Sequence, residues 1–149
     1  MRMTNFVVRY AILPVLTATT REGAITELIA SLHAAGEFAA GDVPDITAAV
    51  LRRETLGSTG IGRGIAIPHT RHAAAGRLVA TLGLSAGGIP FDSIDEEPVH
   101  LLALIVSPQD QPALHLRALE AVVNATRDDD LVARLRACHT AEEIWDLLQ

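Results

Sequence analysis

Arg53-Glu54-Thr55-Leu56-Gly57-Ser58-Thr59-Gly60-Ile61-Gly62-Arg63-Gly64-Ile65-Ala66-Ile67-Pro68-His69 sets three glycines at alternate positions between two hydroxyls and a short apolar run. Glycines and hydroxyls from Gly57 to Gly62 predict an irregular segment, and Ile65-Ala66-Ile67 a short strand ended by Pro68. His69 then stands at the mouth of that strand. Alternating glycines let backbone amides turn toward a ligand without Cβ interference, and such a nest favours an oxyanion. Gly60, Gly62, Gly64, Ser58 and Thr59 are therefore candidate phosphate-binding residues. The same spacing serves equally as a tight strand entry, and it matches neither the dinucleotide fingerprint nor a P-loop.

Upstream, Asp42-Val43-Pro44-Asp45 is a helix start with Pro44 in the first turn, and Ile46, Ala49 and Val50 form an apolar face up to about Arg53. Earlier still, Thr19-x-x-Glu22 has capping-box spacing, and Ala24, Ile25, Leu28, Ile29 and Leu32 predict a helix over 21–35 that Gly36 stops. His33, near its end, reads as a solvated or capping residue. Residues 11–17, interrupted by Pro14, suit a short edge strand or an extended lead-in.

Downstream, 78–84 and 99–106 read as buried strands joined by the acidic loop Phe91-Asp92-Ser93-Ile94-Asp95-Glu96-Glu97-Pro98. Helical periodicity returns over 112–126 and about 129–137, the latter led by Asp128-Asp129-Asp130. A last helix follows the cap at Thr140. This order predicts one domain over 1–149, of α/β class, with a mixed β-sheet flanked by helices on both faces.

The 149 residues are 49% hydrophobic but only 3% aromatic, so the core is expected to rest on Ala, Leu, Ile and Val. Every one of the twelve basic residues is arginine. With no lysine, a P-loop lysine, a Schiff base and a Ser-Lys dyad are excluded. The net charge of -6 argues against nucleic acid as a partner. Yet Arg52, Arg53, Arg63, Arg71 and Arg77 face one acid, Glu54, and make a positive island around His69 that suits an anionic ligand. No apolar run reaches the roughly 20 residues that span a bilayer, and no secretory cleavage site is evident, so a cytoplasmic protein that is not membrane-embedded is expected. The lone Cys138 excludes an internal disulfide and reads as a small apolar filler.

A neutral imidazole can accept a phosphoryl group reversibly, and guanidinium meets phosphate in a two-pronged geometry. His69 and Arg53 are the candidates for those tasks, and no cofactor is required when the donor is itself a phosphorylated side chain. His72 makes a His-x-x-His pair with His69 but lacks a third ligand, so no metal is expected. A serine hydrolase on Ser58 fails because Leu56 breaks the nucleophile-elbow spacing.

The run from Arg53 to His69 resembles the active-site signature of the IIA proteins of the bacterial phosphoenolpyruvate-dependent phosphotransferase system, in the fructose, mannitol and nitrogen-regulatory class. The likeness covers residues from about 11 to the end. It implies that His69 is the phosphoryl acceptor, that Arg53 assists at the phosphate, and that His115, in Pro112-Ala113-Leu114-His115-Leu116, contributes a second imidazole. The segment from Phe91 to Val99 is more similar to the fructose and nitrogen branch than to the mannitol branch. Glu96 departs from the family's glycine, the central strand lacks its usual aromatic residue, and His72 and His100 lie outside the pattern. The resemblance further implies a donor of the HPr or NPr phosphocarrier kind. Downstream it implies either a IIB subunit or regulated protein partners. A non-catalytic interaction module of the same fold, as in cytoplasmic domains of anion transporters, is the alternative, and the retention of Arg53, His69 and His115 weighs against it.

Overall fold

Two adjacent residues on one strand, Leu104 and Ile105, are both wholly buried, each under a different layer of helices. That strand, β5 (Val99–Pro108), is the axis of the sheet in the computed structural model, which describes residues 1–149. On one side it pairs in parallel with β2 (Ile65–Ala66) and, past a break at Pro68, with β3 (His69–His72). On its other side it pairs antiparallel with β4 (Val79–Ile89). β1 (Gly60–Gly62) is an antiparallel edge on β2. At the opposite edge residues 7–16 run parallel to β4, with bonds from Val8 N–H to the Ala80 carbonyl (2.8 Å) and from Leu13 N–H to the Leu82 carbonyl (2.9 Å). The expected lead-in is thus an edge of the sheet, interrupted by one 3-10 turn over Arg9–Ala11. Inside that interruption the buried Thr81 hydroxyl donates to the Ala11 carbonyl, at 2.7 Å.

Strand alternation sends successive residues to opposite faces, and a strand apolar at every position must be covered on both. Ala66, Leu102, Leu104 and Val106 face α1 (Arg21–Ala34) and α2 (Val43–Thr55). Ile65, Leu101, Ala103 and Ile105 face α3 (Pro112–Thr126), α4 (Asp129–Arg136) and α5 (Ala141–Leu148). The result is the expected three-layer α/β/α sandwich.

Local signals set the helix ends. The hydroxyl that caps α1 belongs to Thr20, which accepts from Gly23 N–H, rather than to Thr19 as the spacing suggests. Gly36, at φ 90°, closes the helix with bonds from its own N–H to the His33 carbonyl and from Glu37 N–H to the Leu32 carbonyl. His33 is tied there as well, its Nδ1–H donating to the Phe38 carbonyl at 2.7 Å. Asp128 accepts from two amides at the start of α4, and Thr140 caps α5.

One expectation fails beside the central stretch. Gly60–Gly62 is a strand, not irregular chain, because the turn Arg63–Gly64 folds it back onto β2. Both turn residues have positive φ, 57° and 76°, as a two-residue hairpin requires. Arg63 is held in this unusual conformation from three sides. Its N–H donates to Asp95 (2.9 Å), and its guanidinium reaches Asp129 (2.7 Å) and the Thr126 carbonyl (2.7 Å).

Candidate functional site

Proline has no N–H to give a ladder, so the strand running past Pro68 breaks there, although the Pro68 carbonyl still accepts from Ile105 N–H of β5 at 3.0 Å. The Ile67 carbonyl turns to the ring two residues on, accepting from His69 Nδ1–H at 2.8 Å. A carbonyl only accepts, so Nδ1 carries the proton and Nε2 keeps its lone pair. β3 then continues from His69, paired with Ile105 of β5.

His115 arrives from the first turn of α3, and its ring centroid lies 5.2 Å from that of His69, with the rings tilted by 55°. Its Nδ1 is hydrogen-bonded to the fully buried Ser107 at the end of β5. Both histidines are half-buried. Burial holds His69 below its ordinary value of 6.5, aided by the charge of Arg53 and opposed by the Ile67 carbonyl and Glu54. Burial pushes His115 further, to about 4, with His69 and Arg71 acting in the same direction. At neutral pH the pair is two uncharged imidazoles.

Arg53 sits at the end of α2, where one guanidinium nitrogen donates to the Gly57 carbonyl at 2.8 Å and fixes the side chain. Arg71 is anchored by the Gln109 carbonyl at 3.1 Å. These two cations bear on His69 and His115 respectively, so the arginine island is focused on the ring pair. Arg71 was legible only as a member of that island.

Other residues singled out in the central stretch make contacts within the protein. The Ser58 hydroxyl donates to the Phe91 carbonyl and accepts from Gly60 N–H at 3.0 Å. Thr59 gives its hydroxyl to Glu54 and its N–H to the same carboxylate at 3.2 Å. Glu54 is itself buried, and Arg21 lies 3.9 Å from it. Sequence reasoning passed over Glu54; the signal was its place between Arg53 and the glycine run. Gly60 lies so close under Ser93 that any Cβ would collide with that hydroxyl. Gly62 approaches Asp95, while Gly64 abuts His100 and Arg136. The structure thus brings Arg53, His69 and His115 together and shows the glycines packed against the loop before β5 and its first residues.

His72 has both ring nitrogens engaged: Nδ1 accepts from Ala74 N–H (3.0 Å), and Nε2–H donates to Asp45 of α2 (2.5 Å). Three positions beyond His69 on a strand, it faces the other side of the sheet.

An α/β/α sandwich presenting a lone-pair nitrogen beside a second neutral imidazole and two arginines offers a nucleophile in surroundings that suit an anionic group. Residues 7–149 match the family described as "Phosphoenolpyruvate-dependent sugar phosphotransferase system, EIIA 2". The chain belongs to that family and is a phosphotransfer component of it. It is 33% identical to a nitrogen regulatory protein of Bradyrhizobium diazoefficiens over 99% of this chain and 95% of that one. It is also 33% identical to the fructose-specific EIIA component of Haloferax volcanii over 87% and 82% of the respective chains. Among solved structures, the nitrogen regulatory protein IIA-Ntr of Neisseria meningitidis superposes with a TM-score of 0.86, at 25% identity over 97% of each chain. The IIA mannitol protein of Escherichia coli shares the fold at a TM-score of 0.79, covering 95% of this chain and 98% of that one at 23% identity.

Proposed function

We propose that His69 Nε2 accepts a phosphoryl group from a phosphohistidine carrier protein of the HPr or NPr kind in the cytoplasm, and passes it on or signals by holding it. The observation that carries this reading is the tautomer lock. With Nδ1–H committed to the Ile67 carbonyl, the only lone pair on the ring is at Nε2, beside Arg53 and His115. In the transfer, the Nε2 lone pair forms a new N–P bond as the donor's N–P bond breaks, and the donor imidazole keeps that electron pair. No proton has to leave Nε2. Positive charge developing on the ring is shared with the Ile67 carbonyl through Nδ1–H. The guanidinium of Arg53 stabilises the oxygens in flight, and so does His115 Nε2–H in the tautomer where the Ser107 hydroxyl donates to Nδ1.

Two uses of the phosphorylated state belong to this family: transfer to a IIB subunit and regulation of protein partners. The match along nearly the full length of two nitrogen regulatory proteins supports the regulatory use.

Incubation with phosphoenolpyruvate and the general upstream phosphotransferase proteins, followed by intact mass measurement, tests the assignment. One acid-labile phosphoryl group is expected on the wild type and none on His69→Ala. Uptake by that variant, or none by the wild type with matched donors, overturns it.

A further inference from the structure

At the start of β5, five residues before the position paired with His69 and therefore roughly 16 Å from it along the strand, a concave site opens. It is a cleft of about 310 Å³ between the lead-in segment, the end of β4 and the end of α4. Arg136, His100 and His139 bring its polar groups; Pro14, Val15 and Leu84 bring apolar walls. No carboxylate lines it. The guanidinium of Arg136, like those of most arginines in this chain, has no acidic partner within ion-pairing distance and is free to meet an anion in the cleft.

His100 is built into the cleft rather than lying loose at its rim. Its Nδ1–H donates to the Ser85 carbonyl at 2.8 Å. Its Cδ2 edge would touch a Cβ at Gly64 (3.5 Å) and its Cε1 edge a Cβ at Gly88 (3.0 Å), and both glycines have positive φ. The ring is therefore gripped between the hairpin turn at Gly64 and the irregular end of β4 at Gly88, two places free of side chains. Nε2 is left as an acceptor with no partner in the protein. The same Gly64 leaves room for Arg136, whose Nη1 lies 3.6 Å from where a Cβ would be.

We propose that this cleft binds a short aliphatic hydroxycarboxylate. Arg136 takes the carboxylate in its two-pronged geometry, His100 Nε2 accepts the ligand hydroxyl, and Pro14, Val15 and Leu84 cover the alkyl chain. The volume stands at the low end of the roughly 300–1,000 Å³ usual for small-molecule sites, which sets a small ligand. One guanidinium beside a lone-pair acceptor matches a monoanion that carries a donor better than the dianion of a phosphate monoester, which has no O–H to give and would set its oxygens against that lone pair. The site is independent of phosphoryl transfer at His69.

The test is titration of the isotopically labelled full chain with 2-hydroxybutyrate, followed by the side-chain nitrogen resonances of His100 and Arg136. Saturable shifts at both are expected, with butyrate several-fold weaker and butylamine without effect. Arg136→Gln should weaken binding by about tenfold or more, and Val15→Asp, which sets a carboxylate at the exposed rim, should do likewise. Both variants should take up phosphoryl groups as the wild type does, and His69→Ala should bind the probe normally. Absence of a saturable shift, an unchanged titration of Arg136→Gln, or tighter binding of inorganic phosphate at the same resonances overturns the proposal.

Discussion

The ring of His69 is oriented by main chain and that of His115 by a serine, and the two arrangements respond differently to substitution. Replacing Ser107 by Ala removes the hydrogen bond to His115 Nδ1 while leaving the His69 lock untouched. Phosphoryl transfer should slow several-fold in stopped quench-flow measurement, with the fold unchanged by circular dichroism. An unchanged rate would mean that packing alone orients His115. Arg53→Ala should slow transfer by about 100-fold, the usual scale for losing one donor to developing oxyanion charge, and equal rates would remove Arg53 from the mechanism. The depressed titration of the two histidines has a thermodynamic counterpart. The unfolded chain binds protons at these rings near pH 6.5, while the folded chain resists until lower pH, about 4 for His115. Their stabilising contribution is therefore present above pH 6.5 and is lost as pH falls toward 4. His115→Gln should flatten the decline of the melting temperature over that window; an identical decline would show that His115 titrates normally.

At the scale of elements, α2 and the hairpin of β1 and β2 are joined by the buried carboxylate of Glu54, which takes two hydrogen bonds from Thr59. Glu54→Ala leaves a buried N–H and hydroxyl without their acceptor and should cost about 3 kcal/mol in urea unfolding. A loss under about 1 kcal/mol would mean that water replaces the carboxylate. Helix α1 comes close to the sheet at Gly83 of β4, where a Cβ would lie 2.9 Å from a Leu28 methyl of α1 and 3.0 Å from one of Leu16. These are ends of flexible side chains, so Gly83→Ala should overpack by about 1–3 kcal/mol rather than prevent folding. The long strands and all five helices were legible because each carries a full period of apolar residues or a capping side chain. β1 was not: three residues cannot display a period, and its strand character comes from the turn that follows. The cap of α1 was misplaced by one residue because Thr19 and Thr20 are adjacent hydroxyls, and local spacing does not choose between them. The inward aim of Ser58 and Thr59 was hidden for a different reason. Phe91, the partner of Ser58, comes close only after the loop before β5 has folded over the hairpin, and Glu54 meets Thr59 only through the turn that ends α2.

For the whole molecule, the sheet separates two apolar layers that share strands but not side chains. Ile29→Ala on the α1 side and Val122→Ala on the α3 side each should cost about 2–5 kcal/mol or somewhat less for the smaller valine. The double variant should add within about 0.5 kcal/mol, as for sites without common partners. Coupling beyond 1 kcal/mol in a denaturation cycle would show that β5 transmits strain between the layers. The resemblance to a known family made the pairing of His69 with His115 foreseeable, although 46 positions separate them in sequence. Spacing and composition alone reached the arginine island and the imidazole of His69 and stopped there.

The interruption of the strand at Pro68 has a bearing on how this site can change over generations. A histidine whose proton is placed by another side chain loses its orientation when that neighbour mutates. Here the acceptor is the peptide group of Ile67, present whatever residue stands at that position. The lone-pair edge of the ring is inherited from the path of the chain, so the surrounding side chains are free to drift while the nitrogen they frame stays the same.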